Sequence, residues 1–305
     1  MRSMIKCFGL LIFLPAAIFS FAQSDAAADS CSLLWSIHGN GLSETSYLFG
    51  TMHSNDDRLR RFDDHWRTAF ESCDIIAGET DLSSGSMDVM PMLQAMMTDT
   101  TMDMVLQPEK VEAIRNYIVK RLGSEMAPMM MKMQPFFLMV LLMELPEDLT
   151  EVGEIMDIYL QDLALQSGKK VQGLETSTEQ LEVISGVPVL YQAELLFEFV
   201  SMSATDLPMD FIGLNDSLLI QTYLNQCLDE FVVLSEQIDF DERLMTQMLP
   251  VRNVKFVNRL EELFKLNSVF CAVGALHLPG NNGMIALLRE RGYHVTPVFF
   301  KFSHE

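Results

Sequence analysis

Two copies of Gly-x-x-His stand in this chain, Gly50-Thr51-Met52-His53 and Gly274-Ala275-Leu276-His277. Each follows an apolar stretch of strand character, Tyr47 to Phe49 before the first and Ser268 to Val273 before the second. Each histidine is therefore expected just past the C-terminal end of a strand. The glycine lets the backbone turn sharply or approach another chain closely. Two acids share this placement: Glu79 closes the run Asp74-Ile75-Ile76-Ala77-Gly78, and Glu175 comes directly after Leu174. Ligands of open parallel α/β sheets bind outside the carboxyl ends of the strands, so these four polar groups are candidates to converge. One Gly-x-x-His alone would mean little, because a lone histidine after a strand is ordinarily capped or solvated. The repetition in equivalent places, with two acids, is what points to a site.

Two imidazoles with one or two carboxylates suit a divalent cation. Imidazole fits zinc, iron or cobalt, and carboxylates shift the balance towards manganese and other harder ions. A bound metal lowers the pKa of water towards about 7, and a carboxylate outside the coordination shell can act as general base. On this reading His53, Glu79 and His277 hold the metal (manganese, cobalt or zinc), and Glu79 and Glu175 carry the acid–base chemistry. Glu175 either completes the shell or serves as the base. Arg252, followed by Asn253, can clamp a carboxylate or stabilise a developing oxyanion, although its helical stretch through Arg259, Leu260 and Leu263 reads from pattern alone as a solvated face. His38, His65, His294 and His304 lack the strand-end context and read as surface residues.

The elements that must position these groups are legible in outline. Leu33 to Ile37 and Tyr47 to Phe49 read as a hairpin around a turn begun by Gly39-Asn40-Gly41. Asp63 to Ser72 reads as a helix burying Trp66, Ala69 and Phe70, and Asp74 to Glu79 as the strand that completes a βαβ unit. From Ser83 to Ser167 apolar residues recur at helical spacing, with Pro108 opening one helix; residues 83–167 are expected to form a helical insertion. Lys169 to Leu174 returns to strand character, and helical patterns then continue from Thr178 to about Lys265. Ser268 to Val273 reads as a buried strand, Asn281 to Arg291 as a helix stopped by Gly292, and His294 to Phe300 as a last, buried strand. The fold class is thus α/β, a mixed but mostly parallel central sheet with flanking helices and a helical insertion.

Composition narrows the function. The chain has 305 residues, 49% hydrophobic, and a net charge of −21. A surface this acidic repels phosphate backbones and anionic lipid, so nucleic acid is a poor partner. Arg2 and Lys6 precede an apolar run from Cys7 to Phe21, and Ser20-Phe21-Ala22 offers small residues for cleavage after Ala22, so residues 1–22 read as a signal peptide and residues 23–305 as one mature domain. The run is short for a membrane span and contains Pro15. No other stretch reads as a transmembrane segment, which places the mature protein in the periplasm or outside the cell. Cys31, Cys73, Cys227 and Cys271 remain, enough for two disulfides in three connectivities. Cys31 and Cys73 flank the βαβ unit, and Cys271 reads as a buried thiol. The 23 methionines gather in Met87 to Met104 and Met126 to Met143. Packing is the plainest reading; a flexible peptide groove and copper(I) binding by thioethers are the alternatives.

Taken in order, several blocks resemble the TraB/GumN family: Phe49-Gly50-Thr51-Met52-His53, Gly173-Leu174-Glu175-Thr176 with Glu179-Gln180-Leu181, Arg252-Asn253, and Ala272-Val273-Gly274-Ala275-Leu276-His277-Leu278-Pro279-Gly280. The ending Leu287-Leu288-Arg289-Glu290-Arg291-Gly292-Tyr293 with Val295-Thr296-Pro297-Val298 is similar too. That group includes the Tiki metalloproteases and is related in fold to erythromycin esterase-like and ChaN-like proteins. The resemblance implies an α/β core with helical insertions and a site using both motif histidines and Glu79, with Glu175 and Arg252 at further motif positions. The sequence departs from the family pattern at Gly78, where a hydrophobic residue usually precedes the acid; a strand glycine loosens the chain there. The expectation is an exported metal-dependent hydrolase acting on a peptide or a small amide or ester beneath the methionine-rich cap. The alternative is a protein that binds metal, haem or peptide without turnover.

Overall fold

The computed structural model describes residues 31–54, 56–83, 94, 96–144, 155–203, 216–235 and 242–303. The leader expected over 1–22, and His304, lie outside these residues.

Strand β1 (Leu34–His38) and β2 (Ser46–Thr51) pair antiparallel, as the hairpin reading requires. Gly39, Asn40 and Gly41 all take positive φ at the turn, 81°, 44° and 84°, a conformation that glycine and asparagine reach most easily. Helix α1 (Asp64–Ser72) buries Trp66, Ala69 and Phe70. Its N-cap, Asp63, accepts from the backbone N–H groups of His65 and Trp66, each at 3.1 Å, satisfying donors that the first turn leaves open. Strand β3 (Ile75–Gly78) follows.

Six strands form one sheet in the order β4-β3-β5-β2-β1-β6, where β4 is Lys170–Gly173, β5 is Val269–Gly274 and β6 is His294–Val298. Strands β4, β3, β5 and β2 run parallel, and β1 is antiparallel to both neighbours. The fold is therefore mixed α/β with a mostly parallel sheet. The expected βαβ unit closes differently from a simple reading: β2 and β3 are parallel but do not touch, because β5, nearly 200 residues later, inserts between them. That long-range pairing is what brings the two Gly-x-x-His motifs side by side, with Gly50 opposite Val273 and Thr51 opposite Gly274.

The last strand corrects the sequence reading. β6 lies at the sheet's edge beside β1, with His294 and Thr296 exposed; Pro297, which cannot donate to a ladder, is tolerated at such an edge. The disulfide joins Cys31 to Cys227, and Cys73 and Cys271 are buried free thiols. Cys31 does not pair with Cys73. Beneath the sheet Phe49 is ringed by Phe62, Trp66, Phe270 and Phe300, an aromatic core that anchors the strand carrying the first motif.

The chain divides into two compact units. The sheet, with Gly153–Thr176 and Asp216–Glu305, forms one; Asp88–Val152 and Ser177–Asn215 form the other. The helical stretch expected over 83–167 is thus shared between them. Within the helical unit, α2 (Pro108–Leu122) starts with proline as expected, and α3 (Pro135–Glu144) is followed, after the sheet-unit helix α4 (Met156–Gln166), by α5 (Ser177–Ser185) and α6 (Val189–Ser203). Buried Gln192 accepts from Phe136 N–H and donates to the carbonyls of Ile184 and Val187, so both of these carbonyls at the bend between α5 and α6 find a donor. Met96, Met102, Met130, Met131, Met133 and Met139 are all buried here, as the packing reading of the methionines anticipates. No single described helix is long and apolar enough to cross a membrane; α5 with Val189–Met202 passes by length and composition only as a pair bent by 93°.

Candidate functional site

The four parallel strands point their carboxyl ends the same way, and each delivers one polar side chain there. His53 lies two residues past β2, Glu79 one past β3, Glu175 two past β4 and His277 three past β5. All belong to the sheet unit. The glycines matter by their lack of a side chain. A Cβ on Gly274 would stand 3.2 Å from Glu79 Oε1, and one on Gly50 would stand 3.0 Å from Ala275 Cα. Gly78 serves a different end: a Cβ there would meet Gln161 Nε2 at 2.7 Å. That amide donates to Thr80 O and its oxygen accepts from Leu82 N–H, so the loop after Glu79 is clamped where a loosened strand was expected.

Arg252 ties the acids together. Nη2 donates to Glu79 Oε2 at 2.6 Å and to Glu175 Oε1 at 2.6 Å, and Nε donates to the same Glu175 oxygen at 3.0 Å. Only 1% of Arg252 is exposed, which overturns the solvated-face reading. The local sequence explains how it gets there. Pro250 lacks an N–H, and residues Gln247–Val251 widen into a π-turn. Helix α9 begins directly after (counting Asp216–Leu224 as α7 and Leu228–Ser235 as α8) and runs Arg252–Phe264, burying Arg252, Asn253, Phe256, Val257, Leu260 and Phe264 on one stripe. Arg252 Nη1 caps the Met248 carbonyl at 3.2 Å, and its guanidinium lies 4.8 Å from the Phe256 ring centre.

His277 sits against this network. Its Nε2 is 3.3 Å from Arg252 Nη1 and 3.5 Å from Glu79 Oε1. Its Nδ1 is 2.5 Å from Asn253 Oδ1. Asn253 Nδ2 donates to the Asn282 carbonyl at 2.7 Å, which can only accept, so the amide oxygen must face the imidazole. The proton of His277 is therefore on Nδ1 and the lone pair on Nε2. On the other side of the cluster, His53 Nδ1 lies 3.0 Å from Asp157 Oδ2.

The charges follow from burial and neighbours. Burial alone would raise Glu79, but Arg252, His277 and His53, with the Gly274 N–H at 2.8 Å, hold its carboxyl down at about 2. Burial, joined by the Arg252 charge, holds His277 at about 3, against the pull of Glu79, so it is neutral near neutral pH. Burial keeps Glu175 above the usual carboxylate range despite Arg252; its Oε2 has Lys255 Nζ at 3.6 Å.

The donor set fits a divalent ion in its chemistry. His277 presents Nδ1 to the Asn253 side-chain oxygen, the arrangement that fixes Nε2 as the ligating atom in metal sites, and the adjacent Glu79 carboxylate is ionised. As placed, His277 Nε2 and Glu79 Oε1 are neighbouring donors 3.5 Å apart. No group of three or more His, Cys, Asp or Glu side chains among the described residues closes a cage, and the Arg252 guanidinium shares the same two donors.

Sequence reasoning named His53, Glu79, Glu175, Arg252 and His277, and the structure brings Glu79, Glu175, Arg252 and His277 into direct contact. It missed Asp157, Lys255 and the Gly274 N–H. Lys255 could be found as the residue one turn below Arg252 along α9; Asp157 carries no local signal.

The TraB/PrgY/gumN family matches this chain over residues 33–297. Metalloprotease TIKI1 of Xenopus tropicalis is 23% identical over 347 residues, spanning 93% of this chain and 68% of that protein. Metalloprotease TIKI2 of Danio rerio is 22% identical over 316 residues, spanning 88% of this chain and 61% of that protein. No solved structure matches.

Proposed function

The chain belongs to the TraB/PrgY/gumN family, and from that premise we propose that it is an exported, metal-dependent hydrolase of peptide-like amide or ester bonds. The observation that carries the reading is the buried strand-end cluster. It pairs a neutral imidazole whose lone pair is fixed on Nε2 with an ionised carboxylate 3.5 Å away and a guanidinium beside both. His53, His277 and Glu79 would hold the ion, which when bound supplies an acidified water near neutral pH. Manganese, cobalt and zinc all suit these ligands.

The chain's own residues divide the remaining work. Glu79 stays ionised because Arg252 and the Gly274 N–H stabilise its charge. Arg252 fixes the spacing of the two carboxylates and sets a positive field where an oxyanion would develop. Glu175 receives both Arg252 bonds on Oε1, which leaves Oε2 as the atom that takes and returns a proton. A carboxyl whose pKa burial raises is suited to that role at neutral pH. Export is supported by the Cys31–Cys227 disulfide, a bond that persists in oxidising compartments, together with the leader read from residues 1–22. The periplasm or the cell exterior is the proposed location.

One observation favours a second reading, binding without turnover: both oxygens of Glu79 already accept hydrogen bonds from groups of the chain. The experiment that separates the two readings is hydrolysis of a fluorogenic peptide library by the mature protein with manganese, cobalt or zinc and with chelator, beside Glu175→Gln. The hydrolase reading predicts cleavage that chelator stops and that Glu175→Gln lowers at least ~100-fold, within the usual range for acid–base groups. Metal uptake without cleavage under every condition would leave the binding reading.

A further inference from the structure

We infer that Tyr223 is a positioning residue for the first Gly-x-x-His motif, its hydroxyl fixing the Gly50 peptide from which the chain runs on to His53. The functional meaning of this role rests on the metal-hydrolase reading. Tyr223 acts through the backbone of the motif.

The β1–β2 ladder reaches its last strand pair at Leu34 and Phe49. One residue further, Gly50 N–H donates to the Leu33 carbonyl at 2.8 Å, and the Gly50 carbonyl accepts from the Tyr223 hydroxyl at 2.5 Å. A side chain thus takes over where the partner strand gives out. Only 1% of Tyr223 is exposed. Burial raises it well above the ordinary phenol range, so the hydroxyl keeps the proton it donates. Met156 Sδ lies 3.5 Å from the same oxygen, but a thioether is a weak acceptor beside a carbonyl. A Cβ on Gly50 would stand 3.0 Å from Ala275 Cα, and Thr51 pairs with Gly274. The Gly50 peptide therefore lies where the two motifs meet.

Several contacts hold the phenol in place. Tyr223 stands in the last turn of α7, and Cys227, between α7 and α8, is bonded to Cys31 just ahead of β1. Gln226 Nε2 in the same turn donates to the Phe300 carbonyl at 2.9 Å. The Tyr223 ring meets Phe231 edge to face with ring centres 6.3 Å apart, and lies tilted against Phe302 at 5.8 Å. Helix α8 packs against the short turn Ala275–His277. The α7–α8 pair thus reaches the first motif through Tyr223 and the second through α8, and all of these residues belong to the sheet unit.

The test compares two variants of the full chain. Tyr223→Phe keeps the ring and removes the donor. Phe264→Leu thins the core at the far end of α9, roughly 18 Å along the helix from Arg252. Hydrogen exchange of the metal-free protein, read by mass spectrometry, should run about 10-fold faster over residues 50–54 in Tyr223→Phe, relative to the other strands, the size expected when a buried acceptor loses its donor. In Phe264→Leu that ratio should keep its wild-type value. Cobalt affinity, read from the absorption of the bound ion, should fall about 10-fold in Tyr223→Phe and hold in Phe264→Leu. Para-aminophenylalanine at position 223 returns an N–H donor and should restore both readings. If Tyr223→Phe fails to fold, a fluorotyrosine at position 223, a stronger donor of nearly the same shape, should slow exchange over residues 50–54, and unchanged exchange there overturns the inference. Exchange in Tyr223→Phe that rises no more over residues 50–54 than elsewhere in the sheet, or a cobalt affinity equal to that of wild type, also overturns it. Faster exchange over residues 50–54 in Tyr223→Phe with no cobalt bound by wild type would uphold Tyr223 as the positioning residue and count against the metal-hydrolase reading instead.

Discussion

Replacing Arg252 by methionine keeps much of the side chain's length and removes its charge. In the native cluster that charge lies 2.6 Å from an oxygen of Glu79 and 2.6 Å from an oxygen of Glu175. Two unit charges ~4 Å apart interact by about 4 kcal/mol at an effective dielectric constant of ~20. Without Arg252 two buried carboxylates face each other, and Glu175, which burial already pushes upward, takes a proton to escape the repulsion. Removing one partner of a buried ion pair costs about 3–5 kcal/mol, and that is the loss expected for Arg252→Met near pH ~7. It is a large share of the ~5–15 kcal/mol that holds a domain together. Urea unfolding followed by tryptophan fluorescence is the assay, because Trp35 and Trp66 both belong to the unit that contains the site. The deficit should shrink as the pH is lowered towards ~5 and the stranded carboxyls take up protons. Arg252→Lys should fall between the two, since it keeps the charge and loses the fork. A deficit below ~1 kcal/mol, typical of an exposed pair, or one that does not change with pH, would refute the reasoning.

Three further outcomes are expected. His277 is held at about 3, below its unfolded range, so its contribution to stability is complete above pH ~6.5 and is lost as the pH falls from there through about 3; Glu79, held at about 2, adds a loss that begins near pH ~4.5. Denaturant midpoints measured across that range should therefore fall more gently for His277→Gln than for wild type between pH ~6.5 and ~4.5. Opening the Cys31–Cys227 bond by Cys31→Ser/Cys227→Ser should cost about 2–5 kcal/mol, read by the same unfolding assay, and adding reductant to the double variant should change nothing further. Gly274→Ala places a methyl group 3.2 Å from Glu79 Oε1 and 3.6 Å from His277 Cδ2; peptide hydrolysis should drop at least ~10-fold, as expected when reacting groups are displaced, with far-ultraviolet circular dichroism unchanged.

The parts of the site that could be read in the sequence are those with local patterns. A glycine three residues before a histidine, at the end of an apolar run, announces a strand end, and it does so twice. The acids Glu79 and Glu175 follow their strands at once. Burial and partnership are different, because they depend on residues far apart in the chain. Arg252 looks like part of a charged helix face, and only the π-turn at Pro250 and the packing of α9 turn it inward. Asp157 stands in a helix whose other residues give no hint of His53. The pairing of Cys31 with Cys227 rather than Cys73 likewise depends on where the chain returns after 196 residues. The strand order shows the same limit. Each strand of the parallel set was legible, but the insertion of β5 between β2 and β3 was not, since neighbouring elements in sequence usually lie side by side. β6 was misjudged because apolar content does not distinguish a central strand from an edge strand with one covered face.

The most direct test of the account is the metal content of the mature protein, purified without chelator and then loaded in turn with manganese, cobalt and zinc, beside His53→Ala/His277→Ala. The account predicts about one ion per chain, as for a site of three protein ligands, lost in the double variant while circular dichroism and the unfolding midpoint show a folded protein. No bound ion in the wild type under any loading condition, or equal binding in the double variant, would contradict it.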